Sequence, residues 1–265
     1  MDNRAIGVFD SGLGGLTAVR RLQEILPEEQ IIYFGDTGRV PYGTRGRDII
    51  IKYARQDVAF LRGFDLKAII VACNTVSAVA LDLLAAENDI PIIGTVEPAC
   101  RRALRETRNG RIGVIGTAAT VRSGAYERVL HRADGSLHLF TEACPLFVPL
   151  VENGRVHRGD VVIETVVAEY LAPLKEAGVD TLILGCTHYP LLEEVIGDYM
   201  GAAVTLIDSG AEAANAARAE VAPGAGQGGA QYFVSDDPQG FTQLAGLFLQ
   251  QPIAGEAELV EISRY

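Results

Sequence analysis

Two stretches of similar design, Val71-Ala72-Cys73-Asn74-Thr75 and Leu184-Gly185-Cys186-Thr187-His188, decide how this chain is interpreted. Each follows a short apolar run and places a cysteine where a buried strand is expected to end. Polar residues and a helical pattern then follow each cysteine. The two cysteines are 113 residues apart, so no local metal or redox motif contains both. The repetition predicts two thiols that face one ligand from opposite sides.

Along the rest of the chain, apolar β-branched runs alternate with segments of helical periodicity. The strand-like runs are residues 6–9, 31–34, 68–71, 91–93, 111–115, 137–140, 181–184, 203–207 and 231–235. The helical patterns cover residues 16–26, 48–61, 76–87, 99–106, 120–130, 160–176, 191–199, 211–221 and 241–250. This alternation predicts an α/β fold in which helices flank parallel sheets. Pro173 predicts a kink or an early end of its helix.

The two halves of the chain resemble each other in three places. Residues 6–12 resemble residues 112–117, the two cysteine stretches correspond, and residues 92–97 resemble residues 206–212. Chance likeness between α/β sequences is the alternative for the first and third pairs alone, but the cysteine pair recurs in the same order. We expect two similar α/β lobes with parallel central sheets, related by pseudo-twofold symmetry, with the active site in the cleft between them. The expected lobes are residues 1–97 plus 208–265 and residues 98–207.

Composition and charge exclude several classes of partner. The 265 residues carry a formal net charge of −11, whereas a nucleic-acid surface needs a basic face. No apolar run approaches the roughly 18 residues of a membrane helix. The N-terminus has no basic start followed by an apolar segment, so we expect a cytoplasmic protein. An acidic ligand would have to be held by local dipoles rather than by a general positive field.

A thiol at a strand end, just before a helix, lies at the positive end of the helix dipole, which lowers its pKa from about 8.5. Two opposed thiols suit the inversion of a carbon that bears an acidic hydrogen, because one removes a proton while the other delivers one. Helix-start amides can stabilise the carbanion, so no cofactor and no metal are expected. An isolated buried cysteine is usually structural, and we interpret Cys100 and Cys144 in that way.

Motifs along residues 7 to 210 resemble those of glutamate racemases in the cofactor-independent aspartate/glutamate racemase family. They are residues 7–16 (GVFDSGLGGL), 35–37 (GDT) with 40–43 (VPYG), 72–75 (ACNT), 113–117 (GVIGT), 144–146 (CPL) with 149–152 (PLVE), 184–190 (LGCTHYP) and 207–210 (IDSG). The resemblance covers residues 6 to 220 and implies interconversion of L- and D-glutamate, with D-glutamate supplied for peptidoglycan. Family members are commonly dimers, so a homodimer is expected.

The resemblance also implies a role for each matched position. Cys73 and Cys186 would be the acid/base residues, the first acting on D-glutamate and the second on L-glutamate. Asp10, His188 and Glu152 would assist the thiols. The implied substrate contacts are Asp10, Ser11, Pro41, Tyr42, Gly43, Asn74, Thr75, Thr187 and His188, with Thr117 and Thr120 as further contacts.

The sequence alone leaves other interpretations of these residues open. Asp10 is also consistent with a helix cap, His188 with a structural histidine, Tyr42 with turn chemistry and Glu152 with a solvated loop. The glycine run after Asp10 lacks the Lys-Ser/Thr of a phosphate-binding loop. The competing functions are an aspartate or hydantoin racemase, a related decarboxylase or isomerase, and a two-lobed amino-acid binding protein without activity.

Overall fold

The structure is a computed structural model that describes residues 1–253 and 255–265. Residue 254, which falls in the predicted 208–265 segment, lies outside the described residues. In chain order the strands and helices are β1 (Ala5–Asp10), α1 (Leu16–Ile25), β2 (Gln30–Gly35), α2 (Arg47–Leu61), β3 (Leu66–Val71), α3 (Asn74–Glu87), β4 (Ile92–Ile93), α4 (Val96–Glu106), β5 (Arg111–Gly116), α5 (Ala118–Ser123), α6 (Ala125–Ala133), β6 (His138–Ala143), α7 (Phe147–Glu152), α8 (Val161–Glu176), β7 (Thr181–Gly185), α9 (Glu193–Met200), β8 (Thr205–Asp208), α10 (Ser209–Glu220), β9 (Gly229–Val234), α11 (Pro238–Leu249) and β10 (Glu258–Leu259).

The described strands form two parallel sheets. The first has the strand order β10-β9-β2-β1-β3-β4, and the second has the order β6-β5-β7-β8. All pairings are parallel, as expected when helices connect successive strands. The architecture confirms the predicted α/β class with two parallel-sheet lobes. The lobe boundaries at residues 97/98 and 207/208 stay a prediction.

Burial explains why the central strands are mainly apolar. Strand β3 is buried at every position and β1 at every position after the first, because helices cover both faces of the sheet. Strand β7 is likewise buried throughout. Lys67 near the start of β3 is buried in an ion pair with Glu29. At the carboxyl ends of these strands, Cys73 and Cys186 follow β3 and β7.

One sequence expectation about helices is wrong, and so is the alternative of an early end at Pro173. Residues 120–130 do not form one helix, because Gly124 adopts a left-handed conformation (φ 64°) that ends α5 and starts α6. Pro173 does not end α8, which continues to Glu176. The carbonyl that Pro173 leaves without a donor belongs to Glu169, an exposed residue whose carbonyl can be hydrated.

Two further elements carry no sequence signal strong enough to predict. Helix α7 is a helix of six residues that contains Pro149, and β10 is a strand of two residues. Among the described helices, none is both long and apolar enough to cross a membrane.

Candidate active site

Both cysteines of the repeated stretches lie in the wall of one cavity of about 320 Å³. Cys73 follows β3 and caps the start of α3, whereas Cys186 follows β7 of the other sheet. Each is only 5% exposed. The cavity is lined by Ser11, Gly12, Val40, Pro41, Tyr42, Gly43, Thr44, Cys73, Asn74, Thr75, Thr117, Ala118, Cys144, Pro145, Val148, Pro149, Glu152, Cys186, Thr187 and His188.

The predicted site residues are therefore largely brought together, with two exceptions. Asp10 and Thr120 are fully buried behind the cavity wall rather than part of it. Sequence reasoning missed the apolar part of the wall, which includes Val40 and Val148, and interpreted Cys144 as structural, although it lines the cavity. Apolar residues that shape a cavity carry no pattern that separates them from core residues.

One wall of the cavity carries a cluster of three threonine hydroxyls. Thr75 Oγ1 lies 2.9 Å from Thr117 Oγ1, which lies 3.0 Å from Thr120 Oγ1. The Thr117 hydroxyl also accepts a hydrogen bond from the Thr120 amide and caps α5. Nearby, the Cys73 thiol donates to the Ser11 hydroxyl over 3.6 Å. These hydroxyls and the free amides at the start of α3 are suited to hold a carboxylate.

Another part of the wall carries a chain of polar contacts that begins at Cys186. Its sulfur lies 4.0 Å from Nδ1 of His188, and Nε2 of His188 lies 3.1 Å from Oε1 of Glu152. Burial disfavours the charged imidazole, but the hydrogen bonds with Cys186 and Glu152 and the charge of Asp10 outweigh it and raise the pKa of His188 to about 10. The raised pKa favours the imidazolium form of His188, whose ring lies beside Cys186.

The expectation that the helix dipole lowers the pKa of these thiols is wrong for Cys73. Burial, followed by the negative charge of Asp10, raises the pKa of the Cys73 thiol to about 12. The amide of Val76 and the hydroxyl of Ser11 act in the opposite direction but are outweighed. Cys186 also differs from the expectation in position, because α9 begins only at Glu193, after a short turn of 3₁₀ helix.

Glycines of the run after Asp10 allow the β1–α1 loop to pack tightly behind this wall. A Cβ atom on Gly14 would lie 2.1 Å from the Thr187 hydroxyl oxygen and 2.6 Å from the His188 ring. In the same loop, the Gly12 amide donates to Asp10 over 3.0 Å, and Thr187 donates to Asp10 over 3.4 Å. The glycine run therefore packs directly against Thr187 and His188, the two residues that follow Cys186.

The Asn74 side chain links the two sheets rather than pointing free donors at the cavity. Its amide nitrogen donates to the Tyr126 hydroxyl over 2.9 Å and to the Ser209 hydroxyl over 2.8 Å. Ser209 in turn donates to the carbonyl of Leu184 over 2.7 Å. A buried path of hydrogen bonds therefore joins the residue after Cys73 to the strand that ends just before Cys186.

The cavity holds no cationic side chain except the His188 imidazolium. Among the described residues that line it, none is Lys or Arg. Within residues 1–253 and 255–265, no group of three His, Cys, Asp or Glu side chains is arranged to hold a metal ion. An anionic ligand would therefore be held by hydroxyls, amides and the imidazolium.

The sequence model of the Asp/Glu/Hydantoin racemase family matches residues 10–217, a span that contains both cysteines and every polar group described above. The chain belongs to the Asp/Glu/hydantoin racemase family. As a racemase it is an isomerase. Both cysteines in this matched span line the same cavity.

Relatives of this racemase are similar over nearly their full length. A glutamate racemase from Geobacter metallireducens is 47% identical over 253 residues, which cover 93% of each chain. The crystal structure of a glutamate racemase isoform from Bacillus anthracis matches with a TM-score of 0.93 at 37% identity and 98% coverage of both chains. A glutamate racemase from Francisella tularensis, in complex with D-glutamate, matches with a TM-score of 0.89 at 37% identity and full coverage.

Replacing Ser209 with alanine tests the link between the sheets of this racemase. The change leaves the Leu184 carbonyl and one Asn74 N–H without partners in a buried place. We expect the free energy of unfolding to fall by about 1–3 kcal/mol, measured by urea denaturation. The exposed Ser263→Ala serves as the control. Equal midpoints for both variants would contradict the link.

The pH dependence of alkylation tests the electrostatics of Cys73. Because only the thiolate reacts, we expect the rate with iodoacetamide to rise about tenfold per pH unit between about pH 7 and pH 10 without levelling, followed by peptide mass spectrometry. Asp10→Asn removes one cause of the raised pKa, so it should speed the reaction at each pH, whereas the exposed Asp89→Asn should not. A rate independent of pH would show that Cys73 is already ionised.

Proposed function

We propose that this racemase interconverts L-glutamate and D-glutamate without a cofactor, with Cys73 and Cys186 as the two acid/base residues. The observation that carries the proposal is the placement of two thiols, from corresponding strand ends of two sheets, in the walls of one small cavity. Relatives that match this chain over almost its whole length are glutamate racemases, which supports glutamate as the substrate.

The raised pKa of Cys73 sets the direction of the first proton transfer. At neutral pH Cys73 is a protonated thiol and can deliver a proton, whereas Cys186 lies beside an imidazolium that stabilises its thiolate. Starting from L-glutamate, the Cys186 thiolate removes the α-proton and the Cys73 thiol delivers its own proton to the opposite face. The product is D-glutamate, with Cys186 now protonated and Cys73 now a thiolate, which is the state that accepts D-glutamate.

His188 and Glu152 act through Cys186. The hydrogen bond to Glu152 orients the His188 ring and favours its charged form. Asp10 contributes to the same charge from behind the wall and also raises the pKa of Cys73. The buried carboxylate of Asp10 therefore favours both the protonated form of Cys73 and the charged form of His188.

The substrate carboxylates would be held by uncharged donors. We assign them to the hydroxyls of Ser11, Thr75 and Thr117 and to amides at the start of α3, in the 41–43 turn and at Thr187, whose hydroxyl is directed to Asp10. Both side-chain N–H groups of Asn74 are occupied, so its contact would come from its backbone amide. Thr120 would act by fixing Thr117.

We also propose that the enzyme works in the cytoplasm as a homodimer and supplies D-glutamate for peptidoglycan. The small cavity with its hydroxyl and amide donors suits a short dicarboxylic amino acid. Aspartate is the second candidate, because it differs from glutamate by one methylene and uses the same donors. Analytical ultracentrifugation of the full chain tests the dimer.

The experiment that tests this function is proton NMR of the dialysed protein in D2O with L-glutamate, repeated with L-aspartate. We expect the α-proton signal of glutamate to disappear while chiral chromatography shows D-glutamate. Cys73→Ser and Cys186→Ser should each lower kcat by at least about 10³-fold, because each removes an acid/base group. Cys100→Ala, which removes a buried thiol outside the cavity, is the control and should stay active.

Three outcomes would contradict the proposal in different ways. Exchange with aspartate only would keep the mechanism and change the substrate. Turnover that persists in both cysteine variants would rule out the two-thiol mechanism. Exchange with neither amino acid would move the assignment to another member of the family or to a binding protein.

A further inference from the structure

A buried cluster of charged residues lies behind the 40–44 turn, which forms one side of the cavity. Asp36 and Asp57 are both fully buried, and the phenol oxygen of Tyr42 contacts a carboxylate oxygen of each. Arg39 donates from Nε to Asp36 over 2.6 Å and from Nη2 to Asp57 over 2.8 Å. The cluster joins the end of β2, the turn and the middle of α2.

The hydrogen-bond donors in this cluster do not suffice for two carboxylates. Tyr42 has one O–H proton, and its closer partner is Oδ2 of Asp36. Asp36 also accepts from Arg39 and from the Ser235 hydroxyl over 2.7 Å, as expected of an ionised carboxylate. Oδ2 of Asp57 lies 3.1 Å from the same phenol oxygen, whose proton is already used. If Asp57 were ionised, two oxygen lone pairs would face each other in a buried place.

We propose that Asp57 is held as a neutral carboxylic acid that donates its proton to the Tyr42 oxygen and thereby fixes the 40–44 turn at the cavity. The proton count then closes, since Asp57 donates to Tyr42, Tyr42 donates to Asp36, and Arg39 balances the one remaining negative charge. The ionisable groups that act on Asp57 are Asp36, Arg39, Tyr42 and the more distant Asp10. Burial and the negative charge of Asp36 both raise the pKa of Asp57, which favours the neutral acid.

The turn held by this cluster reaches across to the other sheet. A Cβ atom on Gly43 would lie 2.6 Å from Cβ of Thr117, the residue that follows β5. Tyr42 lines the cavity, but its hydroxyl contacts the two carboxyl groups of the cluster and is therefore not available to a substrate. Asp57 is thus a positioning residue, which acts on a bound substrate through Tyr42 and Gly43.

Two isosteric substitutions distinguish the two carboxyl groups. In Asp57→Asn, the amide N–H replaces the acid O–H towards Tyr42 and the amide oxygen still accepts from Arg39, so we expect KM for glutamate within about twofold of the wild-type value. In Asp36→Asn, the amide cannot accept from Tyr42, Arg39 and Ser235 together, and we expect KM to rise about tenfold or more with a smaller change in kcat. The exposed Asp65→Asn is the control.

A second readout does not depend on activity. In protein labelled with 13C at the aspartate carboxyls, we expect one buried carboxyl carbon with the shift of a neutral acid at neutral pH, absent from Asp57→Asn. The Gly43 amide resonance should keep its position in Asp57→Asn and move in Asp36→Asn.

The kinetic arm rests on the proposed function, whereas the NMR arm does not, so the two failures can be told apart. Inactivity towards glutamate with the expected NMR result would leave the Asp57 assignment in place and remove the glutamate proposal. The absence of a neutral carboxyl signal, its loss in Asp36→Asn instead, or equal effects of the two substitutions on Gly43 would overturn the role of Asp57.

Discussion

The site depends on one constraint: two thiols are kept nearly dry in the wall of a small cavity that no lysine or arginine among the described residues lines. The parallel sheets meet this constraint because β3 and β7 each end at the cavity and deliver Cys73 and Cys186 there. Desolvation then becomes the largest influence on Cys73 and keeps its proton in place. The polar contacts around Cys73 then modify this raised pKa.

The two sides of the cavity differ in electrostatics although they correspond in sequence. Cys73 lies among hydroxyls and near the charge of Asp10, whereas Cys186 lies beside His188, which Glu152 supports. In this asymmetric setting Cys73 holds its proton, while Cys186 lies beside the His188 ring.

The sequence predicted the parts of the site that recur at strand ends, because apolar runs, cysteines and the residues just after them form a local pattern. It did not predict Asp57, Tyr126 or Ser209, since their importance comes from contacts across the core that no local spacing encodes. The break at Gly124 was also missed, because one glycine inside a helical pattern lowers helix propensity by only about 1 kcal/mol. The sequence predicted a lowered pKa for Cys73, but the pKa is raised, because burial depends on the whole fold and outweighs a local dipole.

The measurement that tests the central claim most directly is the isotope content of both enantiomers during the first part of the reaction in D2O, started from L-glutamate and then from D-glutamate. If each thiol serves one face only, the product carries deuterium at Cα while the remaining substrate keeps its original hydrogen. Substrate that gains deuterium as fast as product forms, or product that keeps the substrate's hydrogen, would show that a single base serves both faces and would contradict the account.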